Sequence, residues 1–262
     1  MNGKQLKNSI LQWAIQGKLV PQDPNDEPAS ILLERIRAEK AKLVKEKKIK
    51  KDKNESIIYR GDDNKYYEQI GKSVKEITEE IAFDLPNGWY WCRLKDICSI
   101  FTGATFKKEE ATITRKGIRI LRGGNISPFE LKIKDDDIFL TKDKVKEDIL
   151  LKENDILTPA VTSLENIGKM ARVDSDMSDT TVGGFVFIIR LHLINRWFSK
   201  YILYLLSSPF MIDFMKSITN KSGQAFYNIG KERLSMALLP IPPLTEQYRI
   251  VTQIEKLFEQ LR

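Results

Sequence analysis

The two ends of this chain and its middle carry apolar residues at different spacings, and no all-α or all-β fold accommodates both. At the C-terminal end Ile250, Ile254, Leu257 and Leu261 recur at steps of four and three, with Val251 and Phe258 beside them. That is one face of a helix with a seam for another helix. Pro240, Pro242 and Pro243 give it a rigid extended entry, and Thr245 is placed to cap it. At the N-terminal end Leu6, Ile10, Trp13 and Ala14 trace a first helix that Gly17 ends. A second helix is expected from Asp26 or Ser30 through Leu32, Leu33, Ile36 and Leu43 into a lysine run, which reads as a solvated helix end or as an arm for phosphates.

Between these ends the period changes. Residues 54–83 are polar and weakly patterned, and read as a linker. From Asp84 on, short runs bounded by turn residues ("WYWCRL", "GIRIL", "DDIFL", "NDILTPA") read as strands, and "GGFVFIIRLHL" is the strongest of them. "RWFSKYILYLLSSPFMIDFMKSIT" reads as two core helices broken at Pro209. The expected fold is therefore mixed α/β: a globular unit over 84–243, preceded by helices in 1–53 and a linker in 54–83, and followed by a coiled-coil-like helix from 244 to 262.

Composition bounds the function. The chain has 262 residues, 42% of them hydrophobic, which is enough for a sizeable core. Cys92 and Cys98 make no disulfide framework, and a single histidine leaves no zinc site. No apolar run approaches bilayer length and the first residues are amphipathic, so a cytoplasmic protein away from membranes is expected. A net charge of +7 is compatible with a polyanionic partner without requiring one.

Catalytic signatures are scarce. There is no glycine-rich phosphate loop with its lysine, and no glycine-bearing strand–turn–helix for a nucleoside cofactor. "IPPL" has the prolines of a base-methylation motif without its amide or aromatic ring. His192 lies within the strongest strand and reads as structural, and the carboxylates of "KIKDDDIF" read as a surface turn rather than a metal site. No cofactor is expected in this chain.

The loops are more informative. "FTGATFKKEE", "RGGNIS", "AVTSLENIGK" and "NKSGQAFYNIG" combine glycine, hydroxyl and amide residues with isolated cations. Glycine admits a phosphate close to the backbone, hydroxyls bind its oxygens, and amides read base edges. The candidate DNA-contacting residues are Thr102, Gly103, Thr105, Lys107, Lys108, Arg122, Asn125, Thr162, Ser163, Asn166, Lys169, Ser222, Gly223, Gln224 and Asn228. Lys107, Lys108, Arg122 and Lys169 suit phosphates, whereas Thr105, Asn125, Ser163, Asn166, Gln224 and Asn228 suit bases. Turns are rich in the same residues for conformational reasons alone, and that alternative stands beside each assignment.

Three stretches resemble the specificity subunit of type I restriction-modification systems. "LPNGWYWCRLKDICSIFTGATFKKEE" resembles the opening of a target recognition domain. "SGQAFYNIGKERLSMALLPIPPLTEQYRIV" resembles its close and the entry to a long helix, and "SILQWAIQGKLVPQDPNDEPASILLERIRAEK" resembles the helical region between such domains. The resemblance implies a non-catalytic subunit that recognises double-stranded DNA and directs separate modification (methyltransferase) and restriction subunits. Those partners would use S-adenosylmethionine, ATP and magnesium. Family members carry two recognition domains separated by antiparallel helices; one is visible in this sequence. A half-subunit or a fragment is therefore expected, its seam of Ile250, Ile254, Leu257, Phe258 and Leu261 awaiting a second copy, a missing half, or the N-terminal helices through Leu33, Ile36 and Leu43. Competing readings are a helical protein-binding scaffold, a stand-alone DNA-modifying enzyme, and an RNA-binding protein.

Overall fold

The computed structural model describes residues 2–52, 54–222 and 225–261, with the backbone only of Ser222. Helices α1 (Gly3–Ile15), α2 (Ala29–Lys45), α3 (Leu94–Ile97), α4 (Arg196–Leu206), α5 (Pro209–Ser217), α6 (Lys231–Ser235) and α7 (Leu244–Glu259) alternate with short strands. The architecture is mixed α/β, as the change of period predicts. The chain divides into two compact units, each built from discontinuous segments: unit 1 is Met1–Cys98, His192–Pro209 and Ser235–Arg262, and unit 2 is Ser99–Leu191 and Phe210–Leu234. Among the described residues no helix is long and apolar enough to cross a membrane.

In unit 1 the local chemistry of α1 explains its bounds. Asn2 and Gln5 exchange side-chain-to-backbone hydrogen bonds of 2.9 Å at its start. At its end Gly17 has φ +68°, and the Lys18 amide donates to the Trp13 carbonyl at 2.9 Å, a left-handed cap that suits glycine. The expected seam on α7 exists, but its own chain covers it. Ile250, Val251 and Ile254 are fully buried, whereas Leu257, Phe258 and Leu261 are half-buried. The helix packs on α4 and α1, with Phe258 edge-on to Tyr204 at 6.0 Å and the Lys7 ammonium 5.2 Å above the Phe258 ring. The inner part of the stripe is thus filled in cis, by α4 and by the N-terminal α1, while Leu257, Phe258 and Leu261 keep part of their surface in solvent. Thr245 does not cap α7 either; its hydroxyl donates to Asp26 instead.

The expected linker over 54–83 is also corrected. Ser56–Arg60, Tyr66–Ile70 and Ser73–Glu76 form an antiparallel meander, turning at Asn64 (φ 64°) and Gly71 (φ 58°). Its inner face, Ile58 and Tyr66, packs with Ile77, Trp91 and Leu238. A buried ion pair pins it to the strand Tyr90–Arg93: Arg93 Nε and Nη2 donate to the two oxygens of Glu68 at 3.0 and 2.8 Å. Nη2 also reaches Glu80 at 2.8 Å, and Nη1 the Met236 carbonyl at 2.9 Å. Mixed polar composition hid these strands because their main anchor lies elsewhere in the chain.

Unit 2 holds a four-stranded sheet in the order Ala171–Arg172, Ile156–Pro159, Val186–Leu191, Cys98–Thr102. A second sheet pairs Ile118–Leu121 parallel to Thr180–Val182 and antiparallel to Ile138–Leu140. Ile120, Leu121, Leu140, Leu157, Val182 and Ile188 form the core they share. A bidentate pair locks the first sheet: Arg190 Nε and Nη2 donate to the two oxygens of Asp155, each at 2.7 Å.

Two predictions follow from unit 1. Ile254→Asp places a carboxyl group in a closed apolar interface, where even an uncharged polar group costs roughly 2–7 kcal/mol. Thermal melting should show lost stability, and light scattering should show no change of mass attributable to a broken dimer. His192 is buried beside α3, and burial, aided by Lys40, lowers its pKa to about 4. The unfolded chain protonates it at the ordinary value near 6.5, so its stability contribution is complete above that pH. It declines as pH falls towards 4, by up to about 1.4 kcal/mol per pH unit. Denaturant titrations should give a shallower decline over that window for His192→Gln; an identical decline would contradict the assignment.

Candidate nucleic-acid interface

Unit 2 brings most of the expected loops to one place, through backbone hydrogen bonds that can be followed strand to strand. The Ala104 amide donates to the Val182 carbonyl at 2.8 Å and the Gly183 amide to the Leu121 carbonyl at 2.8 Å. The Ala160 amide donates to the Phe185 carbonyl at 2.8 Å, and the Ile229 amide to the Ala160 carbonyl at 2.9 Å. Segments 102–105, 121–124, 159–163, 183–186 and 226–229 are thereby contiguous. The last of these belongs to a small antiparallel sheet in which Phe226–Ile229 lies between Val161–Thr162 and Thr219–Ser222.

Strand parity sorts the faces of that sheet. Thr162, Tyr227 and Lys221 stand in one row, and Val161, Asn228 and Asn220 in the next. Ile229 and Thr162 are buried, so their row parity faces the core. Asn220, Phe226 and Asn228 share the other face and are exposed. Neither amide side chain has a hydrogen bond or ion pair among the described residues. Thr105 stands beside Gly184, where an added Cβ would lie 3.0 Å from its Oγ1. Thr102, Thr105, Lys107, Lys108 and Lys221 are exposed, and Lys169 is half-buried.

Other expected residues are committed to the fold. Asn125 is 1% exposed, and every polar atom of its side chain is used. Its Oδ1 accepts the Arg122 amide at 2.8 Å, while Nδ2 donates to the Lys132 carbonyl at 2.8 Å and to Asp137 at 2.6 Å. Burial works to raise the Asp137 carboxyl, but the Lys134 amide, Asn125 and Arg119 outweigh it and hold it below the usual range. Asn125 is therefore a turn anchor and not a reader of bases. At Gly103 a Cβ would come within 2.2 Å of the Val182 carbonyl oxygen, so that glycine serves close strand packing. Thr162 is buried; Ser163 accepts from Asn166 Nδ2 at 2.9 Å and is bonded to Glu165, which occupies both within their own turn. Arg122 pairs with Asp136 at 3.1 Å, and both side chains are largely exposed. Gly223 and Gln224 lie outside the described residues, as does the side chain of Ser222.

A model of the type I restriction modification DNA specificity domain matches residues 86–262 of the chain. The chain belongs to this family. The type I restriction enzyme EcoAI specificity subunit of Escherichia coli is 36% identical over 97% of the chain. The EcoEI specificity subunit of the same species is 30% identical over 97%. The chain spans 39% and 40% of the length of these two relatives. A solved structure described as the structural basis underlying complex assembly and conformational transition of the type I R-M system shares the fold: TM-score 0.50 at 21% identity, over 69% of this chain and 40% of its own.

All the residues on the exposed face of this specificity-domain chain lie within the matched stretch. Sequence reasoning missed Phe185, Asn220, Lys221 and Phe226. Alternation of Phe226 and Asn228 against Tyr227 and Ile229 was the available signal, and it needs only the knowledge that Ile229 points inward.

The division between committed and free amides is testable. Asn125→Ala strands buried partners and should cost about 1–3 kcal/mol of stability. Asn228→Ala should leave the denaturation midpoint within the error of the parent. An equal stability loss for both variants would contradict the division.

Proposed function

We propose that the chain is the DNA-reading part of a type I restriction-modification specificity subunit, with no catalysis of its own. The observation that carries this reading is the exposed, unpartnered pair of Asn220 and Asn228 on one strand face, with exposed Thr105 and lysines in the neighbouring loops of the same unit, in a chain of the specificity-domain family. Lys107, Lys108, Lys169 and Lys221 are the phosphate-contacting candidates that remain, and Thr102, Thr105, Asn220 and Asn228 the base-contacting ones. Amides are matched bidentately by adenine in the major groove and tell A·T from G·C in the minor groove. Modification and restriction subunits are the partners this reading requires, docked on the terminal helices, and S-adenosylmethionine, ATP and magnesium belong to them. The compartment is then the cytoplasm, where the DNA is.

Selection from a pool of randomised duplexes, followed by a salt titration of the winners, tests the reading. Each lysine that contacts a phosphate contributes roughly one unit to the slope of log affinity against log salt. Replacing Lys107 and Lys108 together with alanine should lower that slope by about two and weaken all sequences alike. Asn228→Ala should cost about 1–3 kcal/mol at one base position and leave the others unchanged. Absence of any enriched sequence would overturn the proposal, and binding insensitive to salt would exclude a phosphate-based interface.

A further inference from the structure

Phe185 and Phe226 are the feature of this face that phosphate and amide chemistry leaves unexplained. Phe185 is 73% exposed and Phe226 is 56% exposed. Phe185 sits at the tip of a tight turn closed by the Val186 amide, which donates to the Gly183 carbonyl at 2.9 Å. Its own carbonyl accepts from Ala160 at 2.8 Å and from Val161 at 3.4 Å. The ring therefore projects from a backbone held on both sides, next to Val161, which stands opposite Asn228 in the register. Phe226 lies two residues from Asn228 on the same exposed face.

Aromatic rings held out in water beside unpartnered amides offer apolar area that a partner can cover. What covers Phe226 must also satisfy Asn220 and Asn228, which share its exposed face. An apolar protein groove would strand the amides. A nucleic-acid base offers a flat face to a phenyl ring and a polar edge to an amide, with phosphates alongside. We infer that Phe185 and Phe226 are wedges that enter the base stack of duplex DNA, flanking the bases read by Asn228. Base faces in a duplex are covered by their neighbours, so each ring must open a step to reach one. Phenylalanine does this from the minor groove at other DNA interfaces, where an amide tells A·T from G·C, and the opened step adds specificity through the ease of unstacking. The inference rests on the DNA-reading function proposed above.

The test uses the 262-residue chain, duplexes selected from the randomised pool, and the variants Phe185→Ala, Phe226→Ala and the double replacement. Thermal melting of each variant should match the parent, since both rings are exposed. Each single variant should weaken binding about tenfold or more, because a ring–base stack contributes on the order of 1–3 kcal/mol. The salt slope should stay unchanged, because no phosphate contact is lost. With 2-aminopurine placed in turn at each adenine of the selected duplex, the parent should brighten at least one position on binding, and the double variant none. If the parent shows no salt-dependent DNA binding, the proposed function falls and the wedges with it. If the parent binds and both single variants bind equally well, or no position brightens, or the slope drops with the ring, the wedges alone are overturned.

Discussion

Unit 1 is assembled from three stretches of chain, and the carboxylate of Glu246 ties the third of them to two separate places in the first. It is buried, accepting a hydrogen bond from Gln22 Nε2 at 3.0 Å and one from the Trp89 indole at 2.9 Å. Burial pushes its pKa up, with Gln22 and Trp89 opposing. One turn further along α7, Arg249 holds Asp26, and Thr245 reaches the same carboxylate. A buried acid with two dedicated donors tolerates no slippage of α7, because displacement would leave a desolvated carboxyl unbonded. The first turn of α7 is thus fixed against the loop before α2 and the strand entry at Trp89. Ile250 and Ile254 follow into their places against α4 and α1 from that anchor.

This anchoring explains where sequence reasoning held and where it failed. Gly17 ends α1 for a local reason, a positive φ and a cap within five residues, and local reasons are visible in sequence. Pro209 opens α5 for a local reason too. The apolar stripe of α7 was equally visible, but periodicity names the buried face and not its cover. The cover came from α4 and α1, two helices from other segments of the chain. The meander at 56–76 failed in the opposite sense: its residues look like linker, and the Arg93 guanidinium that holds Glu68 is some twenty-five residues further on.

The site was legible at the level of segments and obscure at the level of side chains. All the glycine- and amide-bearing loops expected to converge are in unit 2, and backbone bonds join most of them. Which amide is spent and which is free depends on satisfaction. Asn125 and Asn228 are the same residue type in similar company. One makes three bonds inside a turn; the other stands on the outward parity of a strand. Only the register against Val161 and Asn220, and the inward side chain of Ile229, separate the two cases.

The same bookkeeping applied to cations constrains how the exposed face could recognise DNA. In unit 2 the guanidinium groups of Arg115, Arg119, Arg122, Arg172 and Arg190 are each paired with an aspartate. Arg190 and Arg119 face carboxylates that are essentially buried, so releasing them would leave a desolvated charge. Guanine readout in the major groove depends chiefly on arginine or lysine presented bidentately to O6 and N7. The arginines best fixed in this unit are therefore the least able to supply it. Arg115 and Arg122 are different: their partners Asp135 and Asp136 are exposed, and an exposed pair is worth little and is screened by salt. A guanine edge or a phosphate could displace Asp136 from Arg122 at small cost. Under the proposed DNA-reading function, lysines would serve as point charges for the backbone and amides for base edges. Arg122, beside Gly123 and Gly124, is a guanidinium in the loop cluster that exchange of partners leaves available.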